Sequence, residues 1–489
     1  RRLATEEFDV LVIGGGITGA GVALDAAARG LRTALVERDD FASGTSSKSS
    51  KLVHGGLRYL QQKEYRLVYE NLAERQRLLE NAPHLVRPLP FLIPLFGKDG
   101  VVSKSVAKAY STALWLYDLT GGVRIGKRHQ RLTLEAALAH MPTLRADRLV
   151  AGFLYYDAQA DDARLTLAIA RTAVLDHGAV AANYTAVTGL LKDADGKVVG
   201  ARLDDGTEVR ASVVINASGV WVDEVRSLES PAEAGSLRPA KGVHITVPWA
   251  KVRCDIAAVL PVPKDRRSIF VVPWGDFVYV GTTDTDYDGS IDDPQCTEED
   301  IDYLLAAVNT FVTEPLARTD ILGTWAGLRP LVAAAKSERT ADLSRRHAVS
   351  TTAGGMITVT GGKLTTYRHM AADAVDTALD VLGDRVAGRV RRRSPTAALR
   401  LRGAEGHAAL AASDDARTRL LAKRYGGEAT VLLAMIERDP SLGDTLVPGT
   451  DYLRAEAVRA ARYEMTRSLT DVLARRTRAL LQARQASAD

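Results

Sequence analysis

The sequence predicts an α/β protein with a helical C-terminal domain. Near the N-terminus, a short apolar run at 8–13 meets a glycine-rich turn, and a helical pattern at 17–30 leads to a second apolar run at 33–36. This order predicts a β-α-β unit. Strand-like runs with few intervening helices follow between about 149 and 280, which indicates a further sheet. Beyond a basic, proline-bearing linker at 389–395, the pattern is helical.

Composition excludes several function classes. The 489 residues, 46% hydrophobic and 25% charged, predict two or three globular domains. A net charge of +4 is small for this length and argues against wholesale nucleic-acid binding. Cys254 and Cys296 have neither disulfide nor metal-ligand spacing, so we expect a reducing compartment and no metal. Because no signal peptide or transmembrane-length apolar run is evident, we expect a cytoplasmic protein that does not span a bilayer.

A dinucleotide-binding fingerprint lies at the first junction of strand and helix. Gly14, Gly16 and Gly19 have the spacing Gly-x-Gly-x-x-Gly. Gly14 permits the tight turn, Gly16 lets the backbone approach a pyrophosphate, and Gly19 lets the helix pack on the strand. Glu37, which ends the next strand, is expected to accept hydrogen bonds from the adenosine ribose and to disfavour NADP. The fingerprint alone leaves FAD and NAD open.

Two later segments favour FAD. The run at 213–219 is a buried-type strand that ends in small residues, among them Ala217 and Gly219. The run at 354–363 is a strand that enters a glycine pair before a helix. A late helix N-terminus near the pyrimidine end of a flavin stabilises the negative charge of its reduced form, whereas an NAD enzyme has no such need.

Four motifs carry a resemblance to a known family. They are Gly14-Gly-Gly-Ile-Thr-Gly-Ala-Gly21, Thr45-Ser-Ser-Lys-Ser-Ser-Lys-Leu-Val-His-Gly-Gly-Leu-Arg-Tyr-Leu60, Gly323-Thr-Trp-Ala-Gly-Leu-Arg-Pro-Leu331 and Gly361-Gly-Lys-Leu-Thr-Thr-Tyr-Arg368. Together they resemble the FAD-dependent, respiratory glycerol-3-phosphate dehydrogenase family over about 8–370. Glu464 and the stretch 471–478 resemble that family's helical C-terminal domain.

The resemblance implies an α/β FAD-binding dinucleotide fold of the glutathione-reductase/amino-acid-oxidase type. The expected FAD-dependent oxidoreductase region is 1–390, followed by a helical C-terminal domain at 391–489. Within the first region, we expect FAD-binding segments at about 6–75, 149–225 and 350–385, and an interleaved substrate-binding sheet at about 76–148 and 226–349.

The family's reaction is oxidation of sn-glycerol 3-phosphate to dihydroxyacetone phosphate by hydride transfer from C2 to flavin N5, with electrons passed to a membrane quinone. The resemblance implies that Arg58, Arg329 and Arg345 line the substrate pocket. Guanidinium groups also match phosphate oxygens bidentately, which supports this placement independently. The residues around Arg345 depart from the family pattern, so Arg346 is an alternative. The residues expected beside these arginines are Tyr59, Lys363 and Thr365.

Removal of the C2 hydroxyl proton requires a base, and His54 and His244 are both candidates. His54 alternatively abuts the flavin ring. Arg329 and Lys363 complete the expected catalytic set. The residues expected to contact FAD are Gly14, Gly16, Gly19, Glu37, Arg38, Thr45, Ser46, Ser47, Ser49, Ser50, Ala217, Gly219, Gly362, Lys363, Leu364 and Thr365.

Membrane contact is expected at the surface only, because the family's electron acceptor is a membrane quinone. Two apolar segments, 91–96 and 110–117, are the predicted anchors. Nearby cations would favour anionic lipid; they are Lys98, Lys104, Lys108, Arg124, Lys127 and Arg128. We therefore expect a peripheral protein on the inner face of the cell membrane. The sequence leaves the oligomeric state open, and a homodimer is one alternative.

Three alternative functions stay open. A glycerol-3-phosphate oxidase would share these motifs and transfer its electrons to oxygen. An amine- or amino-acid-oxidising flavoprotein of the same fold would need a carboxylate site, which the surplus of arginines disfavours. A non-catalytic nucleotide-binding protein would be colourless after purification.

Overall fold

The computed structural model describes residues 1–57, 59, 64–97, 104–119, 125–230, 237–262, 267–332 and 347–488. Arg58, Arg345 and Arg346, which the sequence predicts at the substrate site, lie outside these ranges. The strands are β1 (Phe8–Ile13), β2 (Thr33–Val36), β3 (Leu52–Val53), β4 (Val86–Phe96), β5 (Gln130–Leu132), β6 (Leu149–Ala160), β7 (Val180–Ala182), β8 (Val187–Lys192), β9 (Val198–Leu203), β10 (Glu208–Asn216), β11 (Leu237–Pro248), β12 (Ala257–Pro261), β13 (Ser268–Trp274), β14 (Phe277–Gly281), β15 (Thr285–Asp286), β16 (Gly323–Val332), β17 (His347–Thr351) and β18 (Ile357–Gly361).

The helices flank and follow these strands. They are α1 (Arg2–Thr5), α2 (Ile17–Ala28), α3 (Tyr65–Asn81), α4 (Lys104–Tyr117), α5 (Leu134–His140), α6 (Asp162–Leu175), α7 (Val222–Ser227), α8 (Trp249–Val252), α9 (Glu298–Asn309), α10 (Tyr367–Leu382), α11 (His407–Ala411), α12 (Ala416–Tyr425), α13 (Ala429–Arg438), α14 (Arg454–Tyr463), α15 (Ala479–Gln482) and α16 (Arg484–Ala488). Across the described ranges, none of the helices has the length and apolar character needed to cross a membrane.

The first sheet has the strand order β17-β18-β10-β1-β2-β7. Its centre is parallel, because β1 pairs in parallel with both β10 and β2. All six residues of β1 are buried, as expected of a parallel strand covered on both faces. Helices α2, α6 and α10 contribute the apolar side chains that pack beside it. The predicted β-α-β unit is therefore confirmed.

The second sheet is mixed and mostly antiparallel, with the strand order β15-β11-β14-β13-β12-β4-β6-β3 and with β16 paired to β11. The pairing of β11 with β16 sets Ala240 opposite Arg329 and His244 opposite Trp325. We predicted that the segment from residue 149 belongs with the FAD-binding part, but β6 pairs with β4 along its length in this second sheet. An apolar run alone does not specify which sheet a strand joins, so the sheet changes only after Ala160.

The predicted membrane anchor at 91–96 does not fit the structure. This segment is the end of β4, and Phe91, Leu92, Ile93 and Leu95 are all buried. These four side chains pack inside the protein, and Phe96, the last residue of the segment, is half-buried. The apolar run reflects a core strand, which periodicity alone does not distinguish from a surface anchor.

Candidate active site

A cavity of about 1080 Å³ lies between the two sheets. Its wall includes the turn after β1 on one side and residues of β11 and β16 on the other. The volume reaches the upper end of the range typical of small-molecule sites, about 300–1,000 Å³. Most of the predicted site residues line this cavity. It has three parts: an end where a nucleotide would bind, a middle lined by hydroxyl groups, and an end lined by basic side chains.

The glycine fingerprint forms the wall where phosphates would bind. Gly14 has φ +109°, and a Cβ there would lie 2.7 Å from the Ala217 carbonyl oxygen. A Cβ on Gly19 would lie 1.8 Å from the Gly14 carbonyl oxygen, so this helix packs on the turn only with glycine. Gly16 is the N-cap of α2 and lines the cavity. The backbone therefore forms a cradle at a helix N-terminus, which fits the pyrophosphate of a dinucleotide.

Glu37 and Arg38 mark the nucleotide end. The Glu37 carboxylate accepts hydrogen bonds from the Gly15 N–H at 2.6 Å and the Asp39 N–H at 2.9 Å. Burial raises the pKa of Glu37, although these backbone donors oppose the rise. The Arg38 guanidinium lies 4.8 Å above the ring of Trp221. Glu37 thus fixes the glycine turn and faces the cavity, where an adenosine ribose would lie.

The middle of the cavity is lined by a hydroxyl-bearing segment, residues 45–51, which we call the hydroxyl loop. Thr45 donates to the Leu328 carbonyl at 2.6 Å, and the Ser46 hydroxyl accepts from the Ile17 N–H at 2.8 Å. Ser49 and Ser50 also line the cavity, but Ser47 does not. The Ser47 hydroxyl donates to Gly44 O at 3.4 Å, which places it on the inner side of the loop. Ser47 is therefore a poorer cofactor ligand than the sequence predicts.

Arg329 lies at the basic end, where its guanidinium is held against the cavity wall. It donates to the carbonyl oxygens of Lys241 and Thr283, and to the Asp284 carboxylate at 3.2 Å. A Cβ on Gly242 would lie 2.6 Å from Arg329 Nη2. Glycine at 242 is therefore needed for the guanidinium to lie in its place.

Lys363 and Tyr59 form a second basic feature of the same wall. The Lys363 ammonium lies 3.9 Å from the centre of the Tyr59 ring, a cation–π contact. The glycine pair Gly361 and Gly362 has φ +71° and +83° and turns the chain from β18 toward α10. The next turn carries Thr365, whose hydroxyl accepts from the backbone N–H of His54 at 3.2 Å.

His244 is the more tightly held of the two candidate bases. It is 2% exposed, its ring stacks on Trp325 at 4.7 Å with an interplanar angle of 8°, and its Nε2 lies 2.9 Å from Ser50 Oγ. Burial and the nearby cations Lys51 and Arg329 hold the pKa of His244 well below its usual range. The imidazole is therefore neutral at physiological pH.

The cavity wall also contains residues that the sequence motifs do not indicate. Arg267 lines the basic end and donates to the Asp284 carbonyl at 2.5 Å. Asp157 lines the wall beneath Gly55 and accepts a hydrogen bond from the Gly55 N–H at 3.2 Å. Burial raises the pKa of Asp157. Trp221 stacks on Arg38. None of these residues belongs to a short motif. For Asp157, the only sequence signal is the alternation of side chains along β6, which assigns it to one face of the strand.

Comparisons with known proteins agree with this architecture. The family described as FAD dependent oxidoreductase matches residues 9–368, and the family described as C-terminal domain of alpha-glycerophosphate oxidase matches 394–489. Glycerol-3-phosphate dehydrogenase 2 of Mycobacterium tuberculosis is 44% identical over 495 residues, which cover 98% of this chain and 82% of that protein.

Two solved structures resemble the fold. The glycerol-3-phosphate dehydrogenase of Bacillus halodurans, complexed with FAD, has a TM-score of 0.76 and 34% identity, and covers 98% of this chain and 88% of that one. The L-alpha-glycerophosphate oxidase of Mycoplasma pneumoniae, with FAD bound, has a TM-score of 0.58 and 19% identity, and covers 76% and 95%. At this lower identity, the second comparison supports the fold alone.

The fold and the cradle define an FAD-dependent oxidoreductase, and FAD is the cofactor. The glycine turn, the hydroxyl loop and the turn after β18 are the parts of the chain that would hold it. The identity and coverage of its relatives go further. The chain belongs to the FAD-dependent glycerol-3-phosphate dehydrogenase family.

Proposed function

We propose that the chain oxidises sn-glycerol 3-phosphate to dihydroxyacetone phosphate and passes the electrons to a membrane quinone. The observation that carries this proposal is the position of Arg329 on the cavity wall beside Gly242, two residues along β11 from His244. When bound, FAD supplies the acceptor for the hydride that leaves C2 of the substrate. The names of the relatives support the substrate.

The basic end of the cavity suits a phosphate monoester. Arg267 and Arg329 both contact Asp284, and Lys363 also lines the cavity, as does the carboxylate of Glu64. Asp157 is neutralised separately, because Arg75 Nη1 donates to it at 2.5 Å. A planar guanidinium binds two phosphate oxygens at once, and an ammonium adds a point charge. We propose that Arg329 and Lys363 bind the phosphate, with Tyr59 and Thr365 beside them.

We propose His244 as the acceptor of the C2 hydroxyl proton. Gly242 and His244 lie on the same face of β11, so their side-chain positions are about 7 Å apart. A three-carbon phosphate ester held by the guanidinium over Gly242 therefore brings its hydroxyl group toward the imidazole. The stack on Trp325 fixes the ring plane, and the low pKa keeps the ring neutral before substrate binds. His54 lines the cavity as well and is the alternative that mutagenesis must test.

Surface features of α4 and of the residues that follow it support contact with a membrane quinone. Trp115 is 51% exposed and Leu119 is 69% exposed. Lys108, Lys127 and Arg128, which we predicted as flanking cations, are also exposed. An apolar patch bordered by cations favours an anionic lipid surface. Tyr110 of the same helix lines the cavity, so this surface adjoins the site.

The substrate assignment is tested by anaerobic mixing of the purified protein with glycerol 3-phosphate. We expect the visible absorbance of the oxidised flavin to disappear. In the Arg329→Met variant, the substrate concentration for half-maximal reduction should rise by about 10- to 100-fold, because a charge-assisted contact contributes about 1.5–3 kcal/mol. Arg318→Met is the matched control, since Arg318 pairs with Asp302 on the surface. A wild-type flavin that stays oxidised would refute the assignment.

The acceptor is tested separately by comparing turnover with oxygen and with a water-soluble quinone analogue. We expect the quinone to be reduced faster. Binding to anionic vesicles should be weakened by Trp115→Ser combined with Leu119→Ser, and preserved in the control Tyr463→Ser, which changes another exposed aromatic residue. Faster turnover with oxygen would instead identify a glycerol-3-phosphate oxidase.

A further inference from the structure

An arginine of the C-terminal domain is completely buried against the FAD-binding part of the protein. The Arg478 side chain is 0% exposed and pairs with Asp161 at 2.7 Å and with Asp162. Its Nη1 also donates to the Ser47 carbonyl of the hydroxyl loop at 3.4 Å. A guanidinium buried this fully is stable only while its partners remain in place. Docking of the C-terminal domain is thus tied to the position of these carboxylates.

Asp162 transmits this contact to the cofactor site. The Asp162 carboxylate accepts from Ser49 Oγ at 2.7 Å and from the Ser49 N–H at 3.1 Å. The ammonium of Lys51 donates to the same carboxylate at 3.2 Å and to the Ser47 carbonyl at 3.1 Å. The Asp162 carboxylate therefore joins Arg478 to the hydroxyl loop, which Arg478 also contacts directly at the Ser47 carbonyl.

The hydroxyl loop in turn contacts both the phosphate cradle and the candidate base His244. Ser46 accepts from the first N–H of α2, beside the phosphate cradle. Ser50 contacts the His244 imidazole at 2.9 Å. The Lys51 ammonium lies 4.8 Å from the ring centre of Trp325, on which His244 stacks. A shift of the loop would therefore change cofactor binding and the orientation of His244 together.

Arg478 belongs to a C-terminal segment, residues 471–482, which we call the tail clamp. This segment makes further contacts with the rest of the protein. Arg475 and Arg476 both pair at 2.7 Å with the fully buried Asp40, in the stretch that leads from β2 to the hydroxyl loop. The Leu481 carbonyl accepts from Thr246 of β11 at 2.7 Å. The tail clamp thus contacts the FAD-binding part and the substrate sheet, one on each side of the cavity.

We propose that the tail clamp is a positioning element of the flavin site: Arg478, acting through Asp162, holds the hydroxyl loop in the conformation that binds FAD. Arg478 does not line the cavity and is therefore not a catalytic residue. Because linkage is reciprocal, FAD binding must stabilise the docked tail clamp as much as the docked clamp strengthens FAD binding. This proposal concerns cofactor binding alone and holds whichever substrate the enzyme oxidises.

The mutational test measures the FAD dissociation constant of the full chain by flavin fluorescence, well below the unfolding temperature. We expect Arg478→Met to raise the constant at least 10-fold and Arg478→Lys to raise it less. The matched control is Arg424→Met, since Arg424 pairs with Glu456 and Asp451 within the C-terminal domain. We expect the control to lose thermal stability and to keep its FAD affinity within about 2-fold. Unchanged affinity in Arg478→Met, or equal losses in both variants, would overturn the proposal.

A second measurement uses the wild-type chain and remains valid if Arg478→Met fails to fold. Hydrogen exchange is compared between the holoenzyme and protein from which FAD has been reversibly removed. We expect removal of FAD to increase exchange in the hydroxyl loop and in residues 471–482 together, while helix α13, the comparison region, changes little. Faster exchange in the loop with unchanged exchange in the tail clamp would contradict the coupling.

Discussion

Gly242→Ala should weaken substrate binding without unfolding the protein. The added Cβ would lie 2.6 Å from Arg329 Nη2, so the guanidinium must move by about 0.8 Å to reach ordinary contact. The obstructing atoms are the ends of two side chains, Arg329 and Thr282, which can move at little cost to folding. Loss of one charge-assisted phosphate contact costs about 2 kcal/mol, which corresponds to roughly a 30-fold higher KM.

The assay for this variant is steady-state kinetics with glycerol 3-phosphate, together with the flavin content and the melting temperature. Gly189→Ala is the matched control, because its Cβ would lie 4.0 Å from the nearest atom, in the distant strand β8. We expect both variants to retain FAD and to melt near the wild-type temperature, with KM raised only in Gly242→Ala. An unchanged KM, or a loss of kcat alone, would refute the reasoning about Arg329.

Three further outcomes follow from the structure. Gly14→Ala should purify with at least 10-fold less flavin, read from the absorbance ratio, because its Cβ would meet a backbone carbonyl at 2.7 Å; Gly178→Ala, also at positive φ but in open space, should retain flavin. His244→Asn should lower kcat by about 10²- to 10⁴-fold; because its pKa lies well below 6.5, the wild-type rate should not fall through this group as the pH drops to 6.5. Burial alone would raise the pKa of Glu428, but its contact with Arg171 helps to hold that pKa at about 2. Ionised Glu428 therefore stabilises the folded protein fully above pH 4.5, and this stabilisation is lost as the pH falls toward 2. This contribution to the free energy of unfolding is about 2 kcal/mol after allowance for solvent screening. Urea unfolding at acid and neutral pH should show that Glu428→Gln removes this part of the pH dependence.

The local part of the fold was predictable from sequence because its determinants are local. Gly14, Gly16 and Gly19 specify a strand–turn–helix unit through their own backbone geometry, and the structure confirms the cradle they form. The glycine pair at 361–362 likewise shows the positive φ values that a turn between a strand and a helix needs. Motifs of this kind carry their structural reason within a few residues.

The long-range part was not predictable in this way. The sheet to which β6 belongs depends on its pairing with β4, and the burial of 91–96 depends on the same contact. Arg267 and Asp157 reach the cavity only through tertiary placement. The contact of Arg478 with Asp162 joins residues 316 positions apart. No periodicity in the sequence encodes such a pair, and a resemblance identifies the tail without giving its contacts.

The most direct test of the central claim is the rate of anaerobic flavin reduction by glycerol 3-phosphate that carries deuterium at C2. If the cavity holds the substrate with C2 at the flavin and the phosphate at Arg329, the deuterated substrate should reduce the flavin several-fold more slowly than the ordinary one. Glycerol, which lacks the phosphate, should reduce it hardly at all. Equal rates with both isotopologues, or efficient reduction by glycerol, would contradict the account.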